Sequence, residues 1–159
     1  MKTEPQKEHE WLQKLVGEWT YDVEAAMEPG RPPEHFKGTE SVRSLGGLWI
    51  VAEGEGEMPG GGIARTMMTL GYDPHRQRYV GTWVGSMMTH MWLYEGELDE
   101  AAKELTLDTE GPGATEGKME KFKDVIELES DDRRVLTSHM LGEDGAWYGF
   151  MRATYRRKK

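Results

Sequence analysis

The stretch Leu15-Val16-Gly17-Glu18-Trp19-Thr20-Tyr21-Asp22-Val23 (LVGEWTYDV) changes its hydrophobic period at a glycine two residues before a tryptophan. Upstream, Trp11, Leu12, Leu15 and Val16 recur at i, i+1, i+4 and i+5, which makes one narrow apolar stripe on a helix. Pro5 suits a first helical turn and Gly17 suits a stop. Downstream, Trp19, Tyr21, Val23 and Ala25 alternate with Thr20, Asp22 and Glu24, the pattern of a half-buried strand. The spacing therefore predicts a short helix within residues 1–16 that hands over to strands at Gly17.

Everything after Gly17 keeps period two. Strand candidates follow as HFKGTESVRSL, LWIVAEGEGEM, IARTMMTLGYD, RYVGTWVGSM, HMWLYEGELD, ELTLDT, FKDVIELES, RRVLTSHMLG and AWYGFMRATYRR. The segments between them (EPGRPP, GG, PGGG, DPHRQ, DEAAK, EGPGATEGK, SDD and EDG) are turn compositions, in which glycine, proline and aspartate supply the backbone angles. About ten short strands joined by tight turns predict an antiparallel meander. A sheet of that width left open exposes its edges, and closure into an up-and-down barrel removes them. The expectation is an all-β single domain over residues 1–159, with the barrel in residues 17–157. Residues Gly111 to Gly117 are expected to form a mobile loop.

The composition narrows the function. A length of 159 residues suits one core. Six tryptophans, six tyrosines and eleven methionines supply bulky core material despite a charged share of 31%. A formal charge of −9 opposes a nucleic-acid partner, whose phosphates need a basic face, and the short YRRKK end does not supply one. With no cysteine, disulfides, zinc thiolate sites and cysteine nucleophiles are excluded. The charged start MKTEPQKEHEWLQ lacks the apolar run of a signal peptide, and no window has the length of a membrane span, so the expected location is cytoplasmic.

A helix followed by Gly-x-Trp at the head of the first strand resembles the start of the calycin barrels. That resemblance implies that Trp19 closes the barrel bottom. It also implies an arginine near the C-terminal strand packed across the indole, with Arg156 the first choice and Arg152 the second. Such a cation–π contact is structural. The likeness extends through LVGEWTY, ESVRSLGGLWIVAEGEGEMPGG, MTLGYDPHRQRYVGTWVGSMMTHMWLYEGELD and LTLDTEGP, which together resemble a bacterial family of uncharacterised proteins, the domain of unknown function 1579. It spans nearly the whole chain and implies a calycin or lipocalin-like barrel. The family brings no established activity, so no catalytic residue is carried over.

Strand parity predicts which side chains face inward. In FKDVIELES these are Phe122, Asp124, Ile126 and Leu128, which leaves a carboxylate among apolar neighbours that needs a partner. In HMWLYEGELD they are His90, Trp92, Tyr94 and Leu98, with Met91, Leu93, Glu95 and Glu97 outside. Met68 shares a face with Ala64, Thr66, Leu70 and Tyr72, and Trp83 shares one with Tyr79, Gly81 and Gly85. Alternating glycine with aromatics leaves room inside a barrel. HFKGTESVRSL resists sorting because Glu40 and Arg43 lie on opposite faces. An inward Arg43 would pair with Asp124 or hold the carboxylate of a small acid.

Met88 and His90 offer soft donors suited to copper or haem iron, but methionine is also an ordinary gap filler. The acids Glu53, Glu55 and Glu57 share one face, where a solvated exterior is the simplest reading. Neither Gly-x-Ser-x-Gly, His-Glu-x-x-His nor a dinucleotide fingerprint occurs. The favoured reading is a barrel that binds a small hydrophobic molecule through Arg43, Met68, Trp83, Met88, His90, Trp92, Tyr94 and Asp124, closed by Trp19 and Arg156. Three alternatives stay open. One is a haem-binding barrel with His90 or His139 as axial ligand. Another is an enzyme on small hydrophobic substrates, with His90 as base beside Asp124 or Glu40. The third is a filled barrel that acts through its surface as a homodimer.

Overall fold

Alternation from Trp19 onward builds ten antiparallel strands, each paired with its sequence neighbours, and the first pairs with the last to close the barrel. The computed structural model describes residues 3–26, 30–113 and 116–159. A single helix stands among these residues, α1 (Lys7–Gln13). The strands are β1 (Gly17–Ala25), β2 (Glu34–Leu45), β3 (Trp49–Glu57), β4 (Ile63–Asp73), β5 (Arg78–Gly85), β6 (Trp92–Asp99), β7 (Glu104–Pro112), β8 (Met119–Ser130), β9 (Arg133–Leu141) and β10 (Trp147–Arg157). The register slips between Gly149 and Met151 against β9 and between Leu128 and Ser130 on β8, bulges that bend the strands around the closure. The expected Gly111–Gly117 loop lies partly outside the described residues, and its first two positions still belong to β7.

The helix is shorter than the apolar stripe suggests. Pro5 lies ahead of it, and the Gln6 backbone N–H donates to His9 Nδ1 at 2.9 Å. That bond leaves His9 Nε2 to donate to the Tyr72 carbonyl at 3.0 Å, which ties the helix to β4. Trp11, Leu12 and Leu15 are buried against the barrel end and, with Trp19, form its floor. Each fully buried leucine contributes about 1.5–3 kcal/mol through water exclusion.

Gly17 sits where it does for two reasons. Its φ is +142°, in the region that favours glycine, and a Cβ there would lie 2.3 Å from the Arg157 guanidinium. That guanidinium donates to the Val16 carbonyl at 2.6 Å and to the Lys14 carbonyl at 2.9 Å, so it satisfies the carbonyls that follow α1. It also stacks 4.2 Å from the Trp19 ring, whose N–H donates to the Leu15 carbonyl at 2.9 Å.

Arg157, not Arg156, is thus the arginine on the tryptophan. Arg156 faces outward and pairs with Asp22 at 3.2 Å, and Arg152 is exposed. The parity of Met151, Ala153 and Tyr155 carries the reason, since only Arg157 continues that inward set. A second arginine, Arg134, reaches the plug from β9. It lies 4.8 Å from the Trp19 ring and 3.9 Å from the Tyr155 ring, and it pairs with Glu40. Burial pulls this guanidinium down to about 10, still well above neutral pH. The Glu40 ambiguity resolves here: its carboxylate faces inward because Arg134 meets it.

Candidate ligand-binding site

The helix end of the barrel is packed solid. Val42, Ile50, Leu70, Tyr79, Leu105, Leu107, Ile126, Leu128 and Ala153 are all buried there. Toward the opposite end the small inward residues Ala25, Ala64, Thr109 and Ser138 are still buried, but the larger ones are only half-buried, among them Tyr21, Val23, Phe36, Met68, Trp83, Phe122, Asp124, Leu136 and Met151. In a closed barrel the lumen is the route by which water reaches an inward side chain. The lower half is therefore filled, and the upper half, called the cup below, keeps accessible inward-facing surface.

Aromatic rings wall this cup. Trp92 meets His90 edge-on at 4.8 Å and Phe122 at 5.1 Å, and Phe122 meets Phe150 at 6.1 Å. Edge-to-face packing of this kind fixes ring orientation. The inward glycines turn out to serve these rings. A Cβ on Gly111 would lie 2.1 Å from Trp92, one on Gly85 would lie 2.6 Å from Trp83, and one on Gly56 would lie 2.1 Å from the Tyr21 hydroxyl. The space expected from alternating glycine is taken up by neighbouring side chains rather than left for a ligand.

At the floor of the cup stands a polar trio. The Tyr94 hydroxyl donates to Asp124 Oδ2 at 2.5 Å, and the Ser138 hydroxyl donates to Oδ1 at 2.7 Å. Strand parity brings the three together from β6, β8 and β9, with Asp124 directly opposite Ser138 in the register. Burial pushes the Asp124 carboxyl above its ordinary range, against the two hydroxyl bonds and the nearby His139, which lower it. Burial first, then the carboxylate, hold the Tyr94 phenol well above its usual value. Nearer the mouth on β7, the buried Thr109 hydroxyl has no hydrogen-bond partner among the described residues.

The other residues expected at the site fall in different places. Met68 and Trp83 point into the cup. His90 sits on the rim, where Nε2 donates to the Glu110 carbonyl at 3.0 Å. Met88 lies in the turn after β5, and its sulfur accepts from Trp92 Nε1 at 3.1 Å. Both soft donors are thus engaged in holding Trp92. No group of three or more His, Asp or Glu gathers as a metal site among the described residues. His139 lies on the outer face, between Lys123 and Gly149 in the register, with Nε2 3.1 Å from the Thr137 hydroxyl.

Arg43 is corrected. Its parity opposes that of buried Val42, so it points outward and pairs with Glu53 at 2.5 Å, far from any role beside Asp124 in the lumen. Glu55 pairs with Arg65 on the same face, and all three acids of β3 are exposed. A concavity of about 710 Å³ lies along that outer face, between Glu18, Ser41, Glu53, Arg65 and Met67. Its acids are already met by Arg43, Arg65 and Ser41, and it lies outside the aromatic cup. Sequence reasoning missed Ser138 and Thr109. Parity alone could have placed Thr109 with Leu105 and Leu107, whereas Ser138 lies on β9, whose apolar residues fall on both faces.

No helix among the described residues is long and apolar enough to cross a membrane. No curated protein matches the chain. Its fold is similar to that of Rv2717c from M. tuberculosis, at a TM-score of 0.63 and 12% identity over 98% of this chain and 100% of that one. It is also similar to the S-type phycobiliprotein lyase CPES from Guillardia theta, at 0.61 and 13% over 98% and 99% of the two chains. A de novo designed fluorescence-activating β-barrel matches at 0.52 and 13%, over 92% and 95%. At such identities the likeness establishes a shared calycin-like barrel. The sequence pattern of one family covers residues 4–157, and the chain therefore belongs to the proteins of unknown function designated DUF1579.

Proposed function

We propose that the barrel reversibly holds a small, mostly apolar molecule in its upper half. The observation that carries this reading is the split of the inward-facing residues. Those near the helix are buried, whereas Met68, Trp83, Phe122, Leu136 and Met151 keep accessible surface inside a closed wall. An apolar lining with a few convergent polar groups is the common makeup of small-molecule sites. The similar barrels include one described as fluorescence-activating and one described as a phycobiliprotein lyase, which supports small-molecule binding as a use of this architecture.

Titration with Nile red, a neutral apolar dye, tests the reading. Saturable fluorescence enhancement at one dye per chain is expected, together with a rise in melting temperature that grows with dye concentration. Leu136→Trp, which fills the cup from β9, should weaken binding at least tenfold while the far-UV circular dichroism stays that of a barrel. Binding that does not saturate, or that ignores this substitution, refutes the proposal.

A further inference from the structure

Asp124 is out of place in an apolar cup unless something completes it. Its two oxygens offer about four acceptor sites, of which Tyr94 and Ser138 occupy two. Among the described residues no ion pair reaches it. The other inward charges lie at the plug below, where Glu40 meets Arg134 and the Arg157 guanidinium donates to the Val16 and Lys14 carbonyls. Lys123 and His139, its neighbours on β8 and β9, have the opposite parity, and Lys123 lies over the Trp147 ring at 4.4 Å. Asp124 as a residue is nevertheless only half-buried, and the orphaned Thr109 hydroxyl lies at the next inward position, opposite Phe122 on the neighbouring strand.

Two hydroxyl donors hold a carboxylate as an acceptor, and no ion pair among the described residues supplies the opposite charge. We infer that Asp124 is the recognition anchor of the cup, and that the barrel selects flat aromatic molecules bearing a cationic or N–H donor group. The inference rests on the upper half being a binding site. Tyr94 and Ser138 are positioning residues, which aim the free lone pairs of Asp124 toward the mouth. The aromatic wall of Trp83, Trp92 and Phe122 receives the flat ring system, and its π-faces favour a cation as well. Thr109 supplies a hydroxyl for a second polar atom of the ligand. A buried charge that meets no counter-charge is costly, so a ligand that brings the cation gains what the protein lacks.

Three probes separate the inference from its premise: neutral Nile red, cationic thioflavin T, and the uncharged analogue of thioflavin T that lacks the ring N-methyl group. Wild-type protein should bind thioflavin T at least fivefold more tightly than the uncharged analogue. In Asp124→Asn that preference should vanish, with thioflavin T weakened at least tenfold and Nile red unchanged within twofold. Nile red binding by the variant also reports that it has folded. If Nile red binds wild type but the cation is not preferred, the anchor is overturned while the pocket stands, and this comparison needs no variant. Equal thioflavin T affinity in wild type and Asp124→Asn overturns it likewise. If Nile red fails to bind wild type, the pocket itself is refuted and the anchor falls with it.

Discussion

Replacing Arg134 by methionine strips the buried Glu40 carboxylate of its cation. The two side chains are 6% and 11% exposed, so water cannot substitute. Breaking a buried pair from one side costs about 3–5 kcal/mol, because the remaining charge stays uncompensated. Loss of the guanidinium from the Trp19 and Tyr155 faces adds about 0.5–2 kcal/mol, and the methionine stem keeps part of the packing. Arg134→Met should therefore cost about 4 kcal/mol, a drop in melting temperature of roughly 8–16 °C for a chain of this size. Glu40→Leu alone should also be costly, since it leaves Arg134 buried beside Arg157 over one indole. Combining the two removes both charges, and the double variant should lie within about 2 kcal/mol of wild type. Urea denaturation of the four proteins gives the coupling energy directly, expected at about 2 kcal/mol or more. An Arg134→Met cost below about 1 kcal/mol, or a double variant as unstable as the sum of the singles, would refute the view that these charges answer each other.

Two further outcomes follow from the lumen. Because burial raises the Asp124 carboxyl, its contribution is fully present below the ordinary carboxylate range and is lost as pH rises through its elevated folded value. Wild type should accordingly lose urea stability relative to Asp124→Asn as pH climbs above the ordinary carboxylate range, and a relative stability that is flat or rises would contradict this. Gly56→Val places a side chain 2.1 Å from the Tyr21 hydroxyl and 3.1 Å from the Lys37 carbonyl, so overpacking should destabilise by about 1–3 kcal/mol. A second substitution, Tyr21→Leu, should recover part of that loss, and a fully stable Gly56→Val would refute the close approach of Tyr21 to this position.

Much of the site is legible by counting in twos. The inward set of Trp92, Tyr94 and Leu98, the inward set of Phe122, Asp124 and Ile126, and the outward Met91 and Leu93 all follow from period two, because each strand alternates one lumen face with one solvent face. Family likeness points to Arg156 among neighbouring arginines, whereas parity with Met151, Ala153 and Tyr155 selects Arg157. Arg43 and Glu40 were harder. A strand with a charge on each face gives parity no preference, and the partner that settles the matter, Arg134, lies 94 positions away in the sequence. Within β9 both Arg134 and Val135 are buried, so burial there does not alternate and the strand reveals its inner face only in register with β8 and β10.

By itself the sequence determined the architecture: one helix, a glycine at the handover, and about ten alternating strands, while the place of Trp19 at the floor was implied by family resemblance. Those features are local, written in hydrophobic period and turn chemistry, and they are readable over windows of a few residues. Tertiary structure alone decided which arginines hold the plug, which half of the barrel is filled, and what surrounds Asp124. Each of these depends on contacts across the lumen between strands far apart in the chain. Parity states the direction of a side chain, whereas the space left before it depends on the size of every side chain opposite.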